Sequence, residues 1–186
     1  MSEGPGRVAA AAIMLFALGA SPALSRQWKA TPEALARDYA TISDQRPGGE
    51  LVLTMWFVPQ MVPESPGADI TKAMLQKYVV IVVVHGRVQR ATGTISFENV
   101  DELPARNQSG KPLTLVARDS LPSTNVGMLY ALERFLRQSL GAMGNGAKTF
   151  VFDAGDIDSC KRGQLSVLLA NETYTWDTPF PSCQQN

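Results

Sequence analysis

The chain carries a single histidine, His85, at the end of its most apolar run, with Arg87 two positions further on. An imidazole works as a general base when a nucleophile and an orienting carboxylate converge on it. No Gly-x-Ser-x-Gly elbow and no Ser-x-x-Lys pair follows residue 25, so no familiar spacing supplies that nucleophile. His85 and Arg87 are therefore candidates by position, where a central strand leaves the core. The simpler role for the ring is a hydrogen bond to nearby backbone.

Asp153, Asp156 and Asp158 place carboxylates close together just before Cys160. Clustered oxygen ligands suit Ca²⁺, but the spacing is not that of an EF-hand loop and the terminal bidentate Glu is missing. An acidic, Gly-containing turn is the expected role, and no metal or other cofactor is expected. Glu172, Tyr174, Trp176, Asp177 and Phe180 form the densest aromatic and acidic patch. Carboxylates beside aromatic rings are what glycan hydrolysis uses. They are equally what a packed C-terminal strand looks like, and Tyr174, Trp176, Asp177 and Phe180 are carried forward as a candidate binding surface.

Gly141-Ala-Met-Gly-Asn-Gly-Ala-Lys148-Thr149 nearly spells a phosphate-binding loop, with Ala147 where the Lys should follow Gly directly. Such a loop runs from a strand into a helix whose first amides hold phosphate. Here a helix precedes it and a strand follows, so it reads as a helix stop. Asn107-Gln-Ser109 and Asn171-Glu-Thr173 match the glycosylation acceptor pattern, which matters only in a host that glycosylates. The two cysteines, Cys160 and Cys183, are expected to form one disulfide in an exported chain, contributing about 3 kcal/mol. Two Cys and one distant His do not make a zinc set without carboxylates.

The frame for these residues begins with Met1 to Ser25, which reads as a secretory signal peptide. Arg7 gives the positive start, Val8 to Leu18 the short apolar segment, and Ala23-Leu24-Ser25 the small residues before cleavage. Residues 26–186 then form one exported domain, long enough for a core of its own. Seventeen basic and seventeen acidic residues give zero net charge. Lys and Arg do not cluster, which excludes a nucleic-acid footprint and a polybasic membrane surface.

Tyr78 to Val84 is unbroken by any polar residue and rich in Val and Ile. β-branched side chains favour a pleated strand, and a strand without polar alternation needs cover on both faces. It is expected to be the central strand of a sheet. Thr31-Pro32-Glu33 starts a helix whose Leu35, Tyr39 and Ile42 carry it to about Ser43. Glu50 to Val58 is a strand, Pro59 to Gly67 an irregular connection, and Asp69 the cap of a short helix with Ile70, Met74 and Leu75 inward. Thr94–Glu98 and Leu113–Val116 are further strands, separated by a turn over Asn107–Pro112.

Ser123 or Thr124 opens the longest helix, to about Leu140, with Leu129, Leu132, Leu136 and Leu140 as its apolar stripe. Met128 and Phe135 widen the stripe, and Glu133, Arg134 and Arg137 mark the wet side. Strands over Lys148–Asp153 and Leu165–Ala170 and an aromatic tail complete the chain. The fold class is α+β: a mainly antiparallel sheet or sandwich with a long helix packed on one side. An immunoglobulin-like β-sandwich with helical insertions is the alternative.

The functional expectation is a periplasmic or secreted binding or interaction protein without chemistry of its own. Its partner would be a protein or a cell-envelope component, with no stable membrane insertion once the signal is removed. Pro59–Gly67 and the aromatic tail are the expected contact surfaces. The alternative is a small extracytoplasmic hydrolase using His85 with a nearby carboxylate.

Overall fold

A computed structural model describes residues 37–43, 47–89 and 91–185. The expected signal peptide and the Thr31-Pro32-Glu33 helix start lie outside the described residues. The chain is α+β, with helices and two antiparallel sheets. In order, the strands and the longer helices are β1 (Ala40–Ser43), β2 (Glu50–Phe57), α1 (Ala68–Lys77), β3 (Tyr78–Gln89), β4 (Thr94–Phe97), β5 (Ala105–Asn107), α2 (Ser123–Ser139), β6 (Lys148–Asp153), β7 (Gly163–Leu169) and β8 (Glu172–Thr178). Short 3₁₀ turns join several of them.

β3 is twelve residues long and organises the larger sheet. One of its edges pairs with β2 along eight residues of that strand, Phe57↔Val80 to Glu50↔Arg87. The other edge is shared, with β6 beside Tyr78–Val83 and β4 beside Gly86–Gln89. β1 extends the sheet beyond β2, and β5, β7 and β8 form the smaller sheet.

Tyr78 to Val84 is buried throughout, as a strand covered on both faces must be. Val79, Ile81 and Val83 belong to a buried cluster with Val52, Trp56, Phe150 and Phe152, and with Leu165, Val167, Tyr174 and Trp176 of the smaller sheet. On the opposite face Val80 lies in a cluster with Met74, Leu75, Leu129 and Val151. Val82 and Val84 lie with Leu53, Met55 and Leu136. Period-two alternation divides one apolar run between two different sets of partners.

Several local expectations need correction. The first helix does not reach Ser43: Arg37–Tyr39 is helical, but Ala40–Ser43 pairs antiparallel with Val52–Met55. The open edge of β2 supplies hydrogen bonds that compete with one more helical turn, and Ile42 is half exposed rather than on an apolar helix face. Gly67, at φ 85°, takes the N-cap position of α1; Asp69 sits in the first turn and Ile70 faces outward. Leu113–Val116 forms no ladder. It makes an isolated bridge, Leu115↔Phe152, with backbone bonds from Val116 to Val151 and from Asp153 to Thr114, which cover part of the edge of β6.

On α2, Leu129 and Leu136 are buried, but Phe135 is 58% exposed and does not widen the stripe. Glu133 is not on a wet face: its carboxylate is largely buried and accepts from both terminal nitrogens of Arg118, one at 3.2 Å. The Gly141–Gly146 segment is a 3₁₀ turn between α2 and β6, a helix stop as expected.

Candidate functional site

His85 and Arg87 stand two residues apart and so share a face of β3, on the side of Val79, Ile81 and Val83. Glu50 is opposite Arg87 in β2, and Glu98 donates its backbone N–H to the His85 carbonyl at 2.9 Å. Gly86 permits that approach, because a Cβ there would stand 2.7 Å from the Ser96 carbonyl oxygen. The result is a linked set of charges. His85 Nε2 lies 2.8 Å from Glu50 Oε1, His85 Nδ1 lies 3.6 Å from Glu98 Oε2, and Arg87 Nε donates to Glu98 Oε1 at 3.0 Å. Both ring nitrogens face carboxylates. The neighbouring hydroxyl, Ser96 Oγ, donates to the Arg87 carbonyl at 3.4 Å.

The aromatic tail goes inward. Tyr174, Trp176 and Phe180 are buried, so the expected binding surface is an interior: alternation along β8 turns Tyr174 and Trp176 towards the larger sheet, and Phe180 follows just past the end of that strand. Phe180 packs 5.2 Å from Trp56 and 4.5 Å from Tyr39 between ring centroids, and Trp56 meets Trp176 edge-on at 6.3 Å. Trp176 Nε1 donates to the Tyr39 carbonyl at 3.0 Å, satisfying the indole. Asp177 alone of the four is exposed, and it accepts from Gln164 at 2.8 Å. Trp176, Asp177 and Phe180 do edge a hollow of about 260 Å³ beside Arg37 and Thr175.

The three aspartates do not converge. Asp153 accepts from the Gly155 amide, Asp156 from the Asn107 side chain, and Asp158 from the Cys160 amide. No group of three His, Cys, Asp or Glu poised for a metal occurs among the described residues. Asn107 is itself buried, its oxygen accepting from the Ser109 and Lys111 amides. Its Nδ2, the atom a sugar would take, donates to Asp156. Asn171 is exposed in the β7–β8 turn, at φ 61°.

Another hollow lies at the other end of β3. Its volume is about 480 Å³, inside the range of small-molecule sites. β2 and the turn after it bring Trp56, Val58, Pro59 and Gln60; the end of α1 brings Leu75 and Gln76; β3 begins it with Val79. The loop after β6 closes the far wall with Ala154 and Ile157 to Cys160. Pro59 at the strand end stops the ladder and lets the chain turn away, which opens the space. Cys160 is disulfide-bonded to Cys183, with Cα atoms 5.3 Å apart, and this fixes the wall to the C-terminal segment.

Gln60, Gln76, Asp158 and Ser159 bring polar side chains to the cleft. Gln60 donates its amide to Cys160 Sγ at 2.8 Å and accepts from Ser159 Oγ at 3.3 Å. Gln76 has no side-chain hydrogen bond among the described residues. The Asp158 carboxyl is held below the ordinary carboxylate range by the Cys160 N–H and, more weakly, by Lys161, against a smaller opposing effect of burial. The sequence pattern gave Asp158 and Cys160 other roles, included Gln60 only as part of the Pro59–Gly67 contact surface, and missed Gln76 and Ser159. The one available signal was the Pro59–Gly67 connection, whose first two residues line the cleft.

No protein-family model, curated protein or solved structure matches this chain. Among the described residues, no helix is long and apolar enough to cross a membrane.

Proposed function

We propose that this chain is an exported binding protein without catalysis of its own, and that the cleft between the end of β2 and the disulfide loop holds its ligand. The two sheets act as facing layers with α2 laid over the outer side of the larger one, a rigid frame for the cleft. Export agrees with the leader-like N-terminal sequence and with the Cys160–Cys183 bond. The observation that carries the reading is the cleft itself: about 480 Å³, walled by Trp56, Leu75 and Val79, with a small number of oriented polar groups.

Ligand-observed NMR tests it with four probes built on a six-carbon chain: an alcohol, an amide, an amine and a carboxylate. At least one should give a saturation-transfer signal with the full chain that disappears in Gln76→Trp, where an exposed rim residue becomes a plug. Silence from all four, or signals indifferent to the plug, would contradict the reading.

A hydrolase centred on His85 keeps one observation in its favour, the Glu50 carboxylate at 2.8 Å. Among the described residues no hydroxyl or thiol is hydrogen-bonded to the ring. Hydrolysis of a chromogenic ester or glycoside by the wild-type chain, abolished by His85→Ala, would favour it over binding alone.

A further inference from the structure

We infer that the ligand of this cleft is an organic cation, an ammonium or guanidinium group carried on an apolar body, with the charge at Asp158 and the body against Trp56, Leu75 and Val79. This rests on the cleft being the binding site. Among the described residues Asp158 is the one ionisable side chain lining it, since Cys160 is in a disulfide and no Lys, Arg or His contributes to the wall. An anion entering there meets a fixed negative charge and finds no counter-ion. A neutral guest leaves that carboxylate, 39% exposed, without a matching charge in the cleft.

The present partner of Asp158 is easily displaced. Lys161 Nζ lies 3.1 Å from Asp158 Oδ2, but the Lys161 side chain is 81% exposed, and pairs of that kind add little stability. An incoming cation can take its place at Oδ2 while the Cys160 N–H keeps its bond of 2.8 Å to Oδ1. The carboxylate thus stays oriented by backbone during the exchange. Gln76, at the mouth, offers a second donor and acceptor for whatever carries the charge.

The test uses hexylammonium, hexanol and hexanoate on the full, oxidised chain, with dissociation constants from titration NMR. Hexylammonium should bind about tenfold more tightly than either analogue, the difference expected of one charge-assisted contact. Asp158→Asn, which can still accept from the Cys160 amide, should abolish that preference. Lys161→Ala removes the competing ammonium without touching the wall, and should tighten hexylammonium severalfold.

Hexanoate or hexanol binding as well as the amine, in a manner blocked by Gln76→Trp, would overturn the cation assignment and leave the binding site standing. No probe sensitive to that plug would overturn both. A capped Leu-Lys dipeptide separates the two sources of such a cation. Tighter binding than hexylammonium assigns a basic side chain of a peptide, weaker binding a free amine, and either supports the chemistry.

Discussion

The two ends of the inward face of β3 are built from opposite materials. At the His85 end, one imidazole, one guanidinium and two carboxylates are packed within hydrogen-bonding or ion-pair reach of one another. At the Val79 end, Trp56, Leu75 and Val79 together with the polar side chains of Gln60, Gln76, Asp158 and Ser159 border a space of about 480 Å³. The first end has the residue types that do chemistry and spends them on each other. The second has one of them, Asp158, and leaves the Gln76 side chain without a hydrogen bond among the described residues. A charged side chain already satisfied by counter-ions gives a ligand little to bind. Polar groups lining a concavity give more, because each new contact there forms in a lower dielectric than at an open surface.

The strongest way to break this contrast is to loosen the second end. Replacing both cysteines by Ser should lower unfolding stability by about 3 kcal/mol, read by denaturant melts, and should weaken probe binding because Cys160 and Ser159 form one wall. Unchanged stability would show that the loop after β6 is held by other contacts. A smaller effect of opposite sign is expected between the two ends. Thr54 is fully buried opposite Val83, and its hydroxyl finds no partner among the described residues. Thr54→Val should therefore raise stability by about 1 kcal/mol, and a fall would reveal a bridging water.

Disrupting the His85 end should matter least. His85→Gln is expected to shift stability by about 1 kcal/mol or less and to leave probe binding unaltered, which separates the two ends directly. Acid provides a finer test. The folded Asp158 carboxyl titrates below its unfolded value, so its contribution is fully present above the ordinary carboxylate range of about 4. As pH falls through that value towards the lower folded one, the contribution is lost. Amine binding should fade in the same window in wild type, and Asp158→Asn should remove the dependence.

Much of the frame could be read from residue types. Tyr78 to Val84 declared a doubly covered strand, Leu129 and Leu136 the buried side of α2, and the two cysteines their bond. What could not be read was who would compete for whom. Nothing in Thr41-Ile42 says that the edge of β2 will take them from a helix, and nothing in Glu133 announces Arg118. The same blindness applied to function. His85 drew attention because a lone histidine is conspicuous, and its two carboxylates come from other strands, out of sight in the linear chain. Gln60, Gln76 and Ser159 have no ionisable chemistry. Concavity arises only when Pro59 turns the chain and the disulfide loop folds back across it.

The most direct measurement is a two-dimensional NMR titration of the full chain with hexylammonium. The cleft account predicts shifts of the Trp56 indole, the Gln60 and Gln76 side-chain amides and the backbone from Asp158 to Cys160, with the His85 imidazole and the Glu98 amide unmoved. Shifts centred on His85, or none in the cleft at saturating amine, would contradict it.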